Sequence, residues 1–328
     1  MKKLKHIDDN ALCIQRKKWG KGYTYLNESG RKITDDEMID RIKQLVIPPM
    51  WEDVWICKYE NGHIQAVGRD EKGRKQYLYH EEWQRRSQQQ KFEKLKSFGE
   101  ALPEMRKRCL MDLEQQDWVQ EKVLALMVLL LDETGIRIGN RQYAEQNNSY
   151  GLSTLRRKHL HETGKELLFR FMGKSKQQQE VYIENKELIH HIKESAELPG
   201  YELFRYQESS TKWCTVDSED VNEYIHQTIG DDFYCKDFRT WVANRTAVEC
   251  YAEALSLHGD SSQKKLSNIL VRLVAEQIGN TESVCREYYI HPKILKLVEE
   301  DRFPKNTYKD SKKLYGHSAE EKFLLKNI

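Results

Sequence analysis

Arg137, Lys174, Arg239 and Tyr289 are residue types that can break a phosphodiester without a metal ion. A phenolate attacks phosphorus, guanidinium groups hold the charge of the phosphorane, and an ammonium protonates the departing oxygen. Arg137 lies in Glu133-Thr-Gly-Ile-Arg-Ile-Gly-Asn140 and Lys174 in Phe171-Met-Gly-Lys-Ser-Lys176. Arg239 lies in Lys236-Asp-Phe-Arg-Thr-Trp241, and Tyr289 in Gly279-Asn-Thr-Glu-Ser-Val-Cys-Arg-Glu-Tyr-Tyr-Ile-His-Pro292. Taken singly, each has an ordinary structural explanation. Arg137 suits a surface ion pair at a helix end, Lys174 a solvated turn, Arg239 a carboxylate partner, and Tyr289 a core or surface position. A phenol with a reference pKa of about 10 offers little phenolate at neutral pH. A catalytic tyrosine therefore needs nearby positive charge, which Arg137 and Arg239 can supply. Gly135 and Gly139 flank Arg137 and would let backbone approach a phosphate closely. Lys176 competes with Lys174 for the acid's role, and Tyr288 competes with Tyr289 for the nucleophile's.

The elements that must position these residues are partly readable. Tyr23–Leu26 reads as a strand followed by an Asn27–Gly30 turn. Thr34-Asp-Asp-Glu37 has the form of a capping box opening a helix to about Val46, stopped by Pro48-Pro49. Asp53–Tyr59 and Gly62–Val67 read as strands joined by an Asn61-Gly62 hairpin turn. Asp70–Gly73 reads as a further turn and Lys75–His80 as a further strand. From Glu81 to Gln116 the chain is charged and helix-prone, with interruptions expected at Gly99 and Pro103. Helices are then expected over Trp118–Leu131, after Arg137, and over Asn185–Ser195, Ser218–Thr228, Phe238–Leu255 and Lys264–Ile278. A β insert pairs Leu167–Met172 with Glu180–Ile183 across the Gly-Lys-Ser-Lys tip. The tail after Pro304 is lysine-rich and ends in a loosely docked helix, Glu320–Leu325. The expected class is α+β, with a small β-rich domain over residues 1–80 and a larger, mainly helical domain with a small β insert over residues 81–328.

Composition bounds the function. The 328 residues are 32% charged and 38% hydrophobic, with a mean hydropathy of −0.82. The longest apolar run, Val123–Leu131, is too short to span a bilayer, and Met-Lys-Lys-Leu-Lys opens no secretory signal. Seven cysteines without a CxxC pair argue against disulfides or zinc and for a reducing cytoplasm. Net charge is only +2, so a nucleic-acid surface must be a local patch. Residues 1–80 carry 16 Lys and Arg against 12 Asp and Glu, and the remainder 38 against 40. No P-loop, HExxH or metal cluster is present. Asp217–Asp220 and Asp231-Asp232 read as helix starts or solvated loops, and His190-His191 as an exposed helix face. No cofactor or metal is expected.

The order and combination of these motifs resemble the type IB DNA topoisomerases, specifically the compact bacterial, poxvirus-like branch, over nearly the whole chain. The stretch Glu133–His159, with Ser149-Tyr-Gly-Leu-Ser-Thr-Leu-Arg156, is similar to that family's most recognisable segment. Lys236–Trp241 and Val284–Pro292 are similar to two more. Ile47–Ile56 and Gly62–Asp70 resemble its β-rich clamp. The resemblance implies that Tyr289 forms a 3′-phosphotyrosyl bond and that Arg137 and Arg239 bind nonbridging oxygens. It further implies that Lys174 protonates the 5′ oxygen and that Asn280 supports the transition state. Asn280 stands where viral and eukaryotic relatives place histidine; it can donate a hydrogen bond but cannot titrate. Glu282 replaces the proline usual in that loop. DNA contacts are expected from Arg69, Arg74, Gln76, Tyr77, Tyr79, Tyr143 and Lys236. Tyr77 and Tyr79 share one side of a strand, a pattern that suits a DNA-facing surface or a half-buried core. Relaxation of positive and negative supercoils without ATP or metal is implied. The enzyme would be a monomer on duplex, preferably supercoiled, DNA, located in the cytoplasm at the nucleoid and not at a membrane. The alternatives are a tyrosine recombinase, which usually shows His-x-x-Arg where this chain has Lys236-x-x-Arg239, and a non-catalytic DNA-binding protein.

Overall fold

The computed structural model describes residues 3–260, 265–303 and 315–328. The chain divides into two compact units, Met1–Lys91 and Phe92–Ile328. The lysine-rich stretch after Pro304 and the expected helix start at Lys264 lie outside the described residues.

The first unit holds β1 (Ile14–Trp19), β2 (Gly22–Leu26), α1 (Asp36–Gln44), β3 (Glu52–Ile56), β4 (Ile64–Arg69) and β5 (Lys75–Tyr79). The strands form one antiparallel sheet in the order β2-β1-β3-β4-β5. Ile14, Ile42, Val54, Ile56 and Ala66 make one core, with Met38, Trp51 and Leu78 packed against it. Ile7, Leu12, Cys57, Ile64 and Val67 make a second. β4 is covered on both faces, so it is buried from Ile64 to Gly68 and lacks the alternation of a half-exposed strand. The cap of α1 is Asp35 and not Thr34; its carboxylate accepts from the N–H groups of Glu37 and Met38. A carboxylate at that position also meets the positive end of the helix dipole, which favours it over threonine. Asn61-Gly62 does not make the two-residue turn. Neither residue has a positive φ, as that turn requires. Residues 57–63 form a longer loop, whose carbonyls at Tyr59, Glu60 and Gly62 accept from the Gln65 amide.

Helix α2 (Glu81–Leu113) follows and carries the boundary between the units. It runs without interruption through Gly99 and Pro103. Pro103 has no N–H to bond the carbonyl four residues back; the His317 ring hydrogen-bonds that carbonyl, at Gly99, instead, with Nε2 2.7 Å away. Gly99 lets α2 approach another helix, since a Cβ there would overlap the Trp241 ring.

The second unit continues with α3 (Gln120–Thr134), α4 (Arg141–Asn147), β6 (Leu160–Thr163), β7 (Glu166–Met172), β8 (Gln178–Ile183) and α5 (Lys186–Glu197). A hairpin of β9 (Arg205–Ser209) and β10 (Lys212–Thr215) precedes α6 (Ser218–Ile229), α7 (Cys235–Glu249) and α8 (Tyr251–Asp260). The unit ends with α9 (Leu266–Gln277), α10 (Glu282–Tyr288), α11 (Pro292–Glu299) and α12 (Ala319–Asn327). Helices α3 and α7 pack together and are buried almost all round, as central helices must be. The expected helix over Phe238–Leu255 is two helices that part at Cys250. The β insert has three strands, in the order β6-β7-β8.

The terminal helix is not loosely docked. Glu321 on α12 is buried and accepts from Arg106 at 2.6 and 2.9 Å and from Trp241 Nε1 at 3.0 Å. Asp132 also takes Arg106, at 2.7 and 3.1 Å, and Arg245 lies 3.4 Å from Glu321. Burial opposes the Glu321 charge, but Arg106, Arg245 and Trp241 hold its pKa well below the usual carboxylate range. A depressed carboxylate stabilises fully above its unfolded pKa, near 4.3 for glutamate, and progressively less as pH falls below it. Glu321→Gln is therefore expected to cost roughly 3–5 kcal/mol at pH 7. The gap from wild type should narrow between pH 5 and pH 3, roughly, in urea titrations. A gap independent of pH would contradict the ionic account.

Candidate active site

Arg239 projects from the middle of α7, is 5% exposed, and is held by carbonyls from two other elements. It donates to the oxygens of Gly135 at 2.7 Å, Ile278, and Gly279 at 3.5 Å. Gly135 is the left-handed C-cap of α3 (φ 63°), and a Cβ there would press on Val242 at 3.1 Å. Gly139 likewise serves backbone packing, because a Cβ would lie 2.9 Å from Gly151 Cα. The two glycines around Arg137 thus serve a helix end and a backbone crossing, not the phosphate approach expected of them. Across that crossing the amides of Leu152 and Ser153 donate to the carbonyls of Arg137 and Ile138, at 2.9 and 2.7 Å, which fixes the strand of chain carrying Arg137.

Arg239 differs from Arg106 and Arg245, the other buried arginines of the second unit. Burial opposes the charge of Arg106 and Arg245 too, but neighbouring carboxylates raise both pKa values. At Arg239 burial and the nearby Arg137 charge lower the pKa to about 10, with Tyr289 partly offsetting them. The group stays cationic at neutral pH, and its ligands are carbonyls, as are those of Arg16 in the first unit, whereas Arg106 and Arg245 also hold carboxylates. The Arg239 Nε–H, like that of Arg245, is buried without a hydrogen-bond acceptor. A buried cation without a counter-ion is costly, and strongly perturbed groups lining a cavity cluster at functional sites.

Tyr289 lies beside it, with its ring centroid 5.4 Å from the guanidinium carbon. Arg137 donates from Nη2 to Asn280 Oδ1 at 2.8 Å, and Asn280 Nδ2 is buried without an acceptor. Buried unpaired donors are rare, and here two of them, Asn280 Nδ2 and Arg239 Nε, belong to residues within one constellation. Tyr288 points elsewhere. It is 41% exposed, and its hydrogen bond to Glu287 and partial burial raise its pKa. Glu282 stands exposed in the first turn of α10, where the helix dipole favours a carboxylate.

Lys174 is exposed on the β7–β8 tip, where Gly173 N–H bonds the Gln177 carbonyl at 2.8 Å. A cavity of about 220 Å³ is lined by Arg137, Gly173, Lys174, Gln179, Arg239 and Gly279, among others. The rival Lys176 does not line it. Tyr289 and Asn280 are outside its lining and adjoin it through their arginine neighbours.

Sequence reasoning missed Asn244. It is fully buried on α7, donates to the carbonyls of Thr240 and Tyr289, each at 2.8 Å, and accepts from His291 N–H at 2.7 Å. Tyr289 is thereby clamped through its own backbone by the helix that carries Arg239. His291, whose pKa burial lowers to about 4, is a neutral cap for α11. The available signal was an amide five residues after Arg239 on the same expected helix.

The expected DNA contacts are more scattered. On β5, Tyr77 and Tyr79 are 38% and 36% exposed and stack at 5.8 Å. They form an open aromatic face and not a core. Gln76 falls on the opposite side of the strand, and its amide donates to Asp70 at 2.9 Å. Arg74 also binds Asp70, at 2.7 Å, and its guanidinium draws the Asp70 pKa down to about 2. Arg69 donates to the Gly73 carbonyl at 2.9 Å and lies 3.8 Å from Asp53. Tyr143 is exposed on α4. Lys236 is exposed one turn before Arg239 on α7.

Among the described residues no helix is long and apolar enough to cross a membrane. Comparison with known proteins gives a consistent result. Residues 80–314 match the family described as the catalytic core of eukaryotic DNA topoisomerase I. Residues 22–70 match the N-terminal domain of bacterial DNA topoisomerase IB. DNA topoisomerase 1B of Acanthamoeba polyphaga mimivirus is 31% identical over 293 residues, 87% of each chain. DNA topoisomerase 1B of Vaccinia virus (strain Copenhagen) is 26% identical over 295 residues, 87% of this chain and 89% of that one. Among solved structures, XerH site-specific recombinase bound to difH substrate aligns with a TM-score of 0.38 at 16% identity, over 62% of this chain and 52% of that one, too distant to bear on function. With its catalytic-core match spanning most of its length, the chain belongs to the type IB DNA topoisomerases, an enzyme family of DNA isomerases.

Proposed function

We propose that this protein relaxes positive and negative supercoils by cutting one strand of duplex DNA through Tyr289, holding the 3′ end as a phosphotyrosine, and resealing it. The phenolic oxygen bonds to phosphorus as the bond to the 5′ oxygen breaks. Lys174 gives its proton to that oxygen, and the phenol's proton leaves to water. One phosphodiester is exchanged for another, so resealing needs no ATP. Arg137 and Arg239 bear the charge on the nonbridging oxygens, and Asn280 adds a donor. The observation that carries this reading is Arg239, a buried cation without a carboxylate partner, set against the Tyr289 ring. Two guanidiniums and an ammonium around one cavity supply the charge that a metal would otherwise bring.

The substrate is duplex DNA, preferably supercoiled, and the working form is a monomer. Tyr77 and Tyr79, with Arg69, Arg74 and Gln76 beside them, would contact the duplex from the first unit, and Tyr143 and Lys236 from the second. Phosphate contacts of this kind make binding strongly salt-dependent. The test is plasmid relaxation in EDTA without ATP, with a detergent-trapped covalent adduct as the second readout. Relaxation of plasmids of either sign, with the adduct on the 3′ side of the break, is the expected result. Well-folded protein that needs ATP or a divalent ion to relax either plasmid would overturn it.

A further inference from the structure

Gln179 occupies an unexpected place. On β8 the side chains alternate, with Gln178, Glu180 and Tyr182 exposed and Gln179, Val181 and Ile183 turned inward. Gln179 pairs with the buried Phe171 across the ladder, and directly opposed residues share a face. A polar side chain therefore stands at the end of an apolar row.

Two glycines make room for it. A Cβ on Gly173 would lie 2.6 Å from Gln179 Cγ. A Cβ on Gly279 would overlap Gln179 Oε1 and lie 3.0 Å from its Cδ. Gly173 immediately precedes Lys174, and Gly279 immediately precedes Asn280. One side chain thus fills the space between the hairpin carrying the ammonium and the loop carrying the amide, and it lines the same cavity as Lys174 and Arg239. The tip itself is strained, because Ser175 and Lys176 both adopt left-handed conformations, with φ of 62° and 56°. Such residues disfavour that region by roughly 1–2 kcal/mol each, and they hold it only where the surroundings fix the backbone.

Resting on the reading above, we propose that Gln179 is the positioning residue that docks the Lys174 hairpin on the Gly279–Asn280 loop, setting the distance from the ammonium to the 5′ oxygen. Its action on the reaction is through Lys174 alone. A misplaced acid slows only the step that needs its proton. A 5′ sulfur in place of the scissile oxygen leaves as a thiolate and needs none.

The experiment is single-turnover cleavage of a duplex with either a 5′-oxygen or a 5′-sulfur bridge, using wild type, Gln179→Ala, Gln179→Met and Lys174→Ala. Gln179→Ala is expected to slow oxygen cleavage by roughly ten- to a hundredfold and to match wild type on sulfur. Gln179→Met, which keeps the chain between the two glycines, should retain most of the oxygen rate. Lys174→Ala should lose more on oxygen and also recover on sulfur. Rescue of Lys174→Ala without rescue of Gln179→Ala sinks the docking role alone, as does an undiminished oxygen rate in Gln179→Ala. No sulfur rescue of Lys174→Ala sinks the assignment of Lys174 as the acid and the docking role with it.

Discussion

Tyr289→Phe is expected to fold, to bind duplex DNA and to form no covalent adduct. The substitution removes the hydroxyl with its hydrogen bond to Arg239 and leaves the backbone and ring contacts that hold the residue in place. Its carbonyl stays on Asn244 Nδ2 and its amide on the Cys285 carbonyl, and its ring stays against the core. Removing a nucleophile costs on the order of 10⁶ in rate, which in a plasmid assay is complete loss. Tyr288→Phe should remain active, because that phenol is exposed and bonded to Glu287, with a pKa raised and not lowered. Relaxation surviving in Tyr289→Phe, and lost in Tyr288→Phe, would show that the neighbouring tyrosine is the nucleophile.

Arg137, Lys174, Arg239 and Tyr289 stood out as candidates because each is charged or phenolic and sits beside glycine, aromatic or proline residues that mark a special backbone, whereas Asn280 came from the resemblance alone. What joins them was not. Asn244 and Gln179 are plain amides in ordinary helix and strand positions, and their roles arise from residues distant in sequence. The same physics explains the misread elements. Gly99 and Pro103 carry strong helix-breaking signals, yet Trp241 needs the space above the glycine and His317 bonds the carbonyl that the proline leaves unpaired. Strand β6 reads Leu-His-Glu-Thr and is mostly exposed, so it has no hydrophobic alternation to detect. Hairpin β9–β10 turns without glycine at Ser210-Thr211. Tyr77 and Tyr79 had two readings from periodicity alone, and only the covering of the sheet's other face by Leu78 and its neighbours separates them.

Arg239→Met should separate catalysis from stability. Loss of one preorganised donor to a developing oxyanion costs on the order of 10²–10³ in rate, and cleavage and resealing should both slow by that factor. Stability follows a different balance. In the free protein Arg239 is a buried cation whose charge no carboxylate neutralises, so removing it relieves desolvation while leaving carbonyls at Gly135, Ile278 and Gly279 without their donor. Each unpaired buried group costs about 1–3 kcal/mol, and burying an ion costs several. These terms oppose each other, and the net change should be within about 1 kcal/mol of zero. Arg245, on the same helix, is the internal contrast. It lies within 3.5 Å of Asp132, Glu249 and Glu321, so Arg245→Met leaves the buried pair Asp132 and Glu321 to the single charge of Arg106 and should cost roughly 3–5 kcal/mol. Urea denaturation and single-turnover cleavage of both variants test the distinction. If Arg239→Met unfolds as easily as Arg245→Met, its guanidinium is a structural staple and the anion site must be sought elsewhere in the cavity. If it holds its stability and loses cleavage, the uncompensated charge is kept for the phosphate, at a cost to the free protein that apolar packing would have avoided.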